Sequence, residues 1–80
     1  MLNKKWAHLP INHQRSLLIS VALDAMSETM GEDIMARTPD EHITDLLTNV
    51  RHYCDRYQID FDDRLETSRC HHEAEVMHDE

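Results

Sequence analysis

The sequence predicts an all-α protein, a compact three-helix bundle forming a single domain over residues 1–80 and dimerising through its first helix. Three observations predict this. One Gly, two Pro, 40% apolar and 30% charged residues are the composition of a folded helical chain rather than a disordered one. Apolar residues recur at helical spacing in three segments, roughly 11–30, 39–58 and 61–77, each bounded by capping or turn residues. The first segment, finally, is apolar over more of its circumference than two short neighbours can cover.

The first helix is expected to start near Pro10–Asn12 and to stop before Gly31, the single glycine and a natural C-cap. Leu17, Leu18, Val21, Ala22 and Ala25 make one apolar face, and Ile19, Leu23, Met26 and Met30 make a second beside it. A strip of His13, Ser16, Ser20, Asp24 and Ser27 is left for water. The second apolar face is assigned to a homodimer interface; the alternative is a central helix sandwiched within one chain. Residues 32–37 read as a loop or a short turn that packs Ile34 and Met35 onto the core.

TPDE, Thr38–Glu41, reads as a helix start, with Thr38 as N-cap, Pro39 at the first helical position and Glu41 completing a capping box. Behind it Ile43, Leu46, Leu47, Val50, Tyr53, Cys54 and Tyr57 fall within roughly 120° of arc, a core-facing stripe. Asp45, Thr48, His52 and Arg56 take the opposite face. The third helix follows QID, with Asp60 as N-cap and Asp62 and Asp63 at the positive helix end. Its inner stripe of Phe61, Leu65, Ser68, His72 and Val76 is weaker, so the last turn or two are expected to fray.

Charge is uneven along the chain. Residues 1–20 hold Lys4, Lys5 and Arg15 and no acid, whereas residues 60–80 hold eight acids against Arg64 and Arg69. The net charge is −8. Such a surface repels nucleic acid and anionic membrane and attracts basic surfaces; it also simply keeps a small protein soluble. The KKWAH segment offers Lys4, Lys5, Trp6 and His8, a tryptophan among cations that can stack on a base. Set against −8 and the lack of a basic recognition helix, it reads instead as Trp6 and Leu9 folding back over the core, so no direct nucleic-acid contact is expected. The longest apolar run, LLISVALDAM, is far short of the roughly 20 residues of a membrane span. Two cysteines, Cys54 and Cys70, are too few for a disulfide framework, and together with the missing leader they point to the cytoplasm.

The chain's end, CHHEAEVMHDE, clusters metal-ligand residue types. On a helix His71, Glu75 and His78 lie within about 60° of one another. Glu75 and His78 form one Glu-x-x-His pair, but carboxylate-bridged metal bundles need two such pairs and further inward glutamates. Cys70 projects elsewhere, so these three are weak metal candidates, with a polar helix end as the alternative. No cofactor is expected. Nor is an enzyme: there is no glycine-rich phosphate loop and no nucleophile paired with a base. What remains is recognition of a basic protein surface by the outer face of the third helix. There Asp62, Asp63, Glu66 and Glu73 project, joined by Glu75, Asp79 and Glu80 and interrupted by Arg69.

The stretch Thr44–Val76, TDLLTNVRHYCDRYQIDFDDRLETSRCHHEAEV, resembles small acidic proteins of phages, plasmids and bacterial genomes. Their pattern runs DLLTDLRHYCD, a short turn with an I/L-D-F signature, and a helix ending HYEAE. The matching positions are Asp45–Leu47, Arg51–Asp55, Ile59–Phe61 and His72–Glu75, with His72 standing where relatives often carry an aromatic. The resemblance brings no activity to carry over to this chain. The resemblance implies a mobile-element protein, among which inhibitors of host defence of the anti-CRISPR type are common, and hence a partner such as a CRISPR effector subunit. The expectation is therefore a non-enzymatic acidic inhibitor. The alternatives are a self-associating structural or regulatory module and a metal-binding helical protein.

Overall fold

The structure, a computed structural model, describes residues 3–78. Asp79 and Glu80, assigned above to the acidic face, lie outside the described residues. Among those described, three α-helices and no strands are present: α1, Ile11–Met30, α2, Pro39–Arg56, and α3, Phe61–Met77. Short 3-10 turns at Lys4–Trp6 and Ile34–Ala36 precede α1 and α2. The all-α, three-helix class is thus the one read from the sequence.

The helix ends show why. Gly31 sits at φ 72°, and its N–H and that of Glu32 close onto the carbonyls of Glu28 and Ser27. This is the left-handed C-terminal closure that glycine permits without Cβ strain. Thr38 Oγ1 accepts from the Glu41 N–H at 3.3 Å, and Asp60 accepts from the Asp63 N–H at 3.0 Å, so both acidic starts are side-chain capped.

One end differs from expectation. α2 stops at Arg56, two residues early, because Gln58 adopts φ 56° and lets the Ile59 N–H return to the Cys54 carbonyl at 2.9 Å. The same closure that Gly31 makes cheaply is made here by a residue with a Cβ, which no glycine signal announces.

α1 closes on the chain at both its ends. Near its C-terminus, Ser20, Leu23 and Asp24 line a groove with Ile34, Pro39 and His42. Near its N-terminus, Asn12 donates to the Glu75 carbonyl at 2.7 Å and Arg15 pairs with the Glu75 carboxylate at 3.0 Å. That tie joins the last turn of α3, which is helical through Met77, to the start of α1. Trp6 and Leu9 are half-buried, and the Leu9 carbonyl accepts from Gln14 at 2.9 Å.

The interior is small. Cys54, 5% exposed, is the buried apolar side chain among the described residues, accompanied by Gln14, Ser27 and His42. Two face assignments are therefore corrected. On α1, His13, Ser16, Ser20 and Asp24 are exposed as expected, but Ser27 is buried rather than left for water, while Leu18 and Val21 of the apolar face are exposed. On α2, Cys54 is covered but Ile43, Leu47, Val50, Tyr53 and Tyr57 are not, because α3 meets α2 beside their connection, where Arg51 stacks on the Phe61 ring at 4.2 Å. Leu65 and Val76 of the α3 stripe are exposed, and of the turn residues Ile34 packs while Met35 faces outward.

Arg37, just before α2, binds three carboxylates. It pairs with Asp45, with Glu41 at 3.2 Å and more loosely with Glu32 at 3.9 Å. Arg37, and after it Thr38, holds the Glu41 carboxyl below its ordinary value of 4.5. A depressed carboxylate stabilises the fold above its unfolded-state value and loses that effect as pH falls through the folded-state value. The stability advantage of the wild type over Glu41→Gln should accordingly narrow as pH drops below about 4.5, followed by thermal melts; an advantage constant with pH would show that the Arg37 pairing does not hold in solution.

Candidate functional site

The outward face of α3 is built by a one-sided run of carboxylates on a helix whose N-cap and first turn are themselves acidic. Asp62, Asp63, Glu66 and Glu73 are all exposed. Their spacing along the helix, at about 1.5 Å per residue, brings Asp62 and Glu66 one turn apart. The face is not a bare row of charge. Arg69 donates to Glu66 from Nε at 3.2 Å and to Glu73 from Nη1 at 2.7 Å, and Arg64 donates to Asp63 at 2.7 Å. Arg69 keeps the Glu66 carboxyl below its usual range. Its own guanidinium is held above its ordinary value, first by Glu66 and then by Glu73.

These pairs are solvent-exposed, with about three-fifths of each side chain accessible. Exposed pairs of this kind contribute little net stability because water screens both ions. They are exchangeable: a cation from another molecule can replace Arg69 at Glu66 or Glu73 with little loss. The arrangement is suited to binding a basic surface by ion-pair exchange, and no buried carboxylate stands in it to serve as a general acid.

The three weak metal candidates do not converge on one point. Glu75 faces α1 and pairs with Arg15, and it shares a groove with His71, His72, Asn12 and Ser16. His78 is the C-cap of α3 and bonds through its backbone N–H to the Glu75 carbonyl at 3.2 Å. Among the described residues, no three His, Cys, Asp or Glu side chains gather as a metal site would require. Cys70 is exposed and unbridged.

The second apolar face of α1 is divided. Ile19 and Met30 are exposed; Leu23 is half-buried against the Ile34–Ala36 turn and Met26 half-buried near Asn49 of α2. His42 and Arg37 organise the chain around this end, and neither was read from the sequence as important. The signal for Arg37 was present in its four- and eight-residue spacing to Glu41 and Asp45. His42 gave none, since its partner is the backbone carbonyl of Ile34, 2.7 Å from Nε2.

Fold and surface together define a small helical protein with an acidic outer face and a thin interior. No family model, curated protein or solved structure matches the chain. No helix among the described residues is long and apolar enough to cross a membrane.

Proposed function

We propose that this chain is a non-enzymatic acidic binding protein whose third helix engages a basic groove on a nucleic-acid-binding protein in the cytoplasm. The reading is that of a mobile-element inhibitor of the anti-CRISPR type, with a CRISPR effector subunit as the kind of partner implied by the resemblance of Thr44–Val76. The observation that supports it is the outer face of α3, where Asp62, Asp63, Glu66 and Glu73 stay exposed and are balanced only by exchangeable pairs with Arg64 and Arg69. Two acidic residues in the first turn also sit where a helix end favours negative charge.

The test is capture of the partner followed by a salt titration of the purified complex. Raising ionic strength from about 0.01 to 0.1 M contracts the Debye length from about 30 to 10 Å, so association should slow markedly over that range. The partner's own nucleic acid should compete for the same groove. Binding that is indifferent to salt and to nucleic acid would remove this reading.

A further inference from the structure

The structure leaves an apolar ridge uncovered on the helix least able to tolerate it. α2 is the strongly one-sided helix of the three, and a helix of that kind is stable when its apolar stripe is buried. Yet Ile43, Leu47 and Val50 are 43%, 44% and 37% exposed. They lie one turn after another on the same side, over about 10 Å of helix, with no charged residue among them.

The whole protomer carries the same signature. Its accessible surface is 6595 Å², whereas a folded monomer of 9.5 kDa has about 5,000 Å². Its radius of gyration is 14.5 Å, against about 11.6 Å for a closed globule of this length. The excess surface is about 1,500 Å² per chain. Two chains that each bury that much form an interface of about 3,000 Å², within the span of obligate homodimers.

We infer that a second copy of this chain covers the ridge, in a two-fold dimer centred on Ile43, Leu47 and Val50 of α2. A two-fold interface sets the same patch against itself, which suits a ridge of three branched aliphatic side chains. Leu47, in mid-ridge, stands nearest the axis and meets its own counterpart. Leu23 and Met26, half-covered within the protomer, contribute less than the sequence pattern suggested. The inference is independent of the acidic face of α3. Each copy carries a charge of −8, so the two repel, and salt strengthens this association while weakening that with a basic partner.

The native mass of the wild type should be twice 9.5 kDa, with a melting temperature that rises with protein concentration and with salt. Leu47→Glu should bring the mass to 9.5 kDa or unfold the chain. A cross-linking pair separates these cases in folded protein. In a Cys70→Ser background, Leu47→Cys should be joined into dimers by a short bis-maleimide, whereas His52→Cys, on the opposite face, should not. A wild-type mass of 9.5 kDa with a concentration-independent melt overturns the dimer. A dimer that survives Leu47→Glu, or that links as well through position 52, overturns its placement on α2.

Discussion

Replacing His42 by leucine should cost about 1–3 kcal/mol of folding stability, the penalty for leaving a desolvated carbonyl without its donor. The carbonyl of Ile34 can only accept, so His42 Nε2 carries the hydrogen of the 2.7 Å bond. Leucine fills a similar volume and donates nothing. The bond joins α2 to the turn on which α1 closes, and domains of this size rarely hold more than about 3–5 kcal/mol in their cores. The substitution therefore removes a large share of the whole. At roughly 4–8 °C per kcal/mol, the melting temperature should fall visibly in a thermal melt. His42→Gln, which retains an N–H donor, should recover part of the loss, and His52→Leu on the exposed face should change stability by less than about 0.5 kcal/mol. Equal melts for His42→Leu and His52→Leu would mean that the bond to Ile34 is not formed in solution.

Reversing Asp62, Glu66 and Glu73 to lysine should nearly abolish association with a basic partner. The face changes by six charge units, and long-range attraction becomes repulsion. The loss should appear first in the on-rate and in its salt dependence. The structure adds a control of opposite sign. Arg69 holds Glu66 and Glu73, so Arg69→Gln frees both carboxylates and should speed association at low salt. The triple reversal also leaves Arg69 among three new cations, so its fold must be checked by circular dichroism. Asp45, already paired with Arg37, should matter little to partner binding when changed to asparagine. If Arg69→Gln slows association while the helix stays folded, the arginine itself touches the partner and the acidic-face reading fails.

Much of the fold was legible because helix ends are chemical. Gly31, the Thr38–Glu41 box and Asp60 each satisfy backbone groups with short-range partners that sequence spacing reveals. The end of α2 was not legible, since Gln58 takes a left-handed conformation against its own preference in order to close on Cys54. Faces were harder than ends. Periodicity identifies which residues share a side of a helix, and so the α2 stripe was found, but what covers that side depends on where the neighbouring helix crosses. Cys54 is covered and Leu47, on the same side, is left open. Ser27 and Gln14 are buried although polar, and a hydrophobic pattern cannot nominate them. Spacing alone puts Asp62, Glu66 and Glu73 of α3 on one side, and the structure leaves them exposed. Glu75 needed tertiary information, since its partners, Asn12 and Arg15, stand at the far end of the chain.

The thin interior around Cys54 bears on dosage. If a second copy completes that core, as inferred above, the chain gains stability from its own abundance. At low expression most copies are solitary and open, exposed to the proteases that clear unfolded chains. Above the concentration at which pairs form, they shelter one another. The amount of functional protein would then rise more steeply than its synthesis, with an onset closer to a threshold than to a proportional response, and halving the gene's output would remove more than half of what it does.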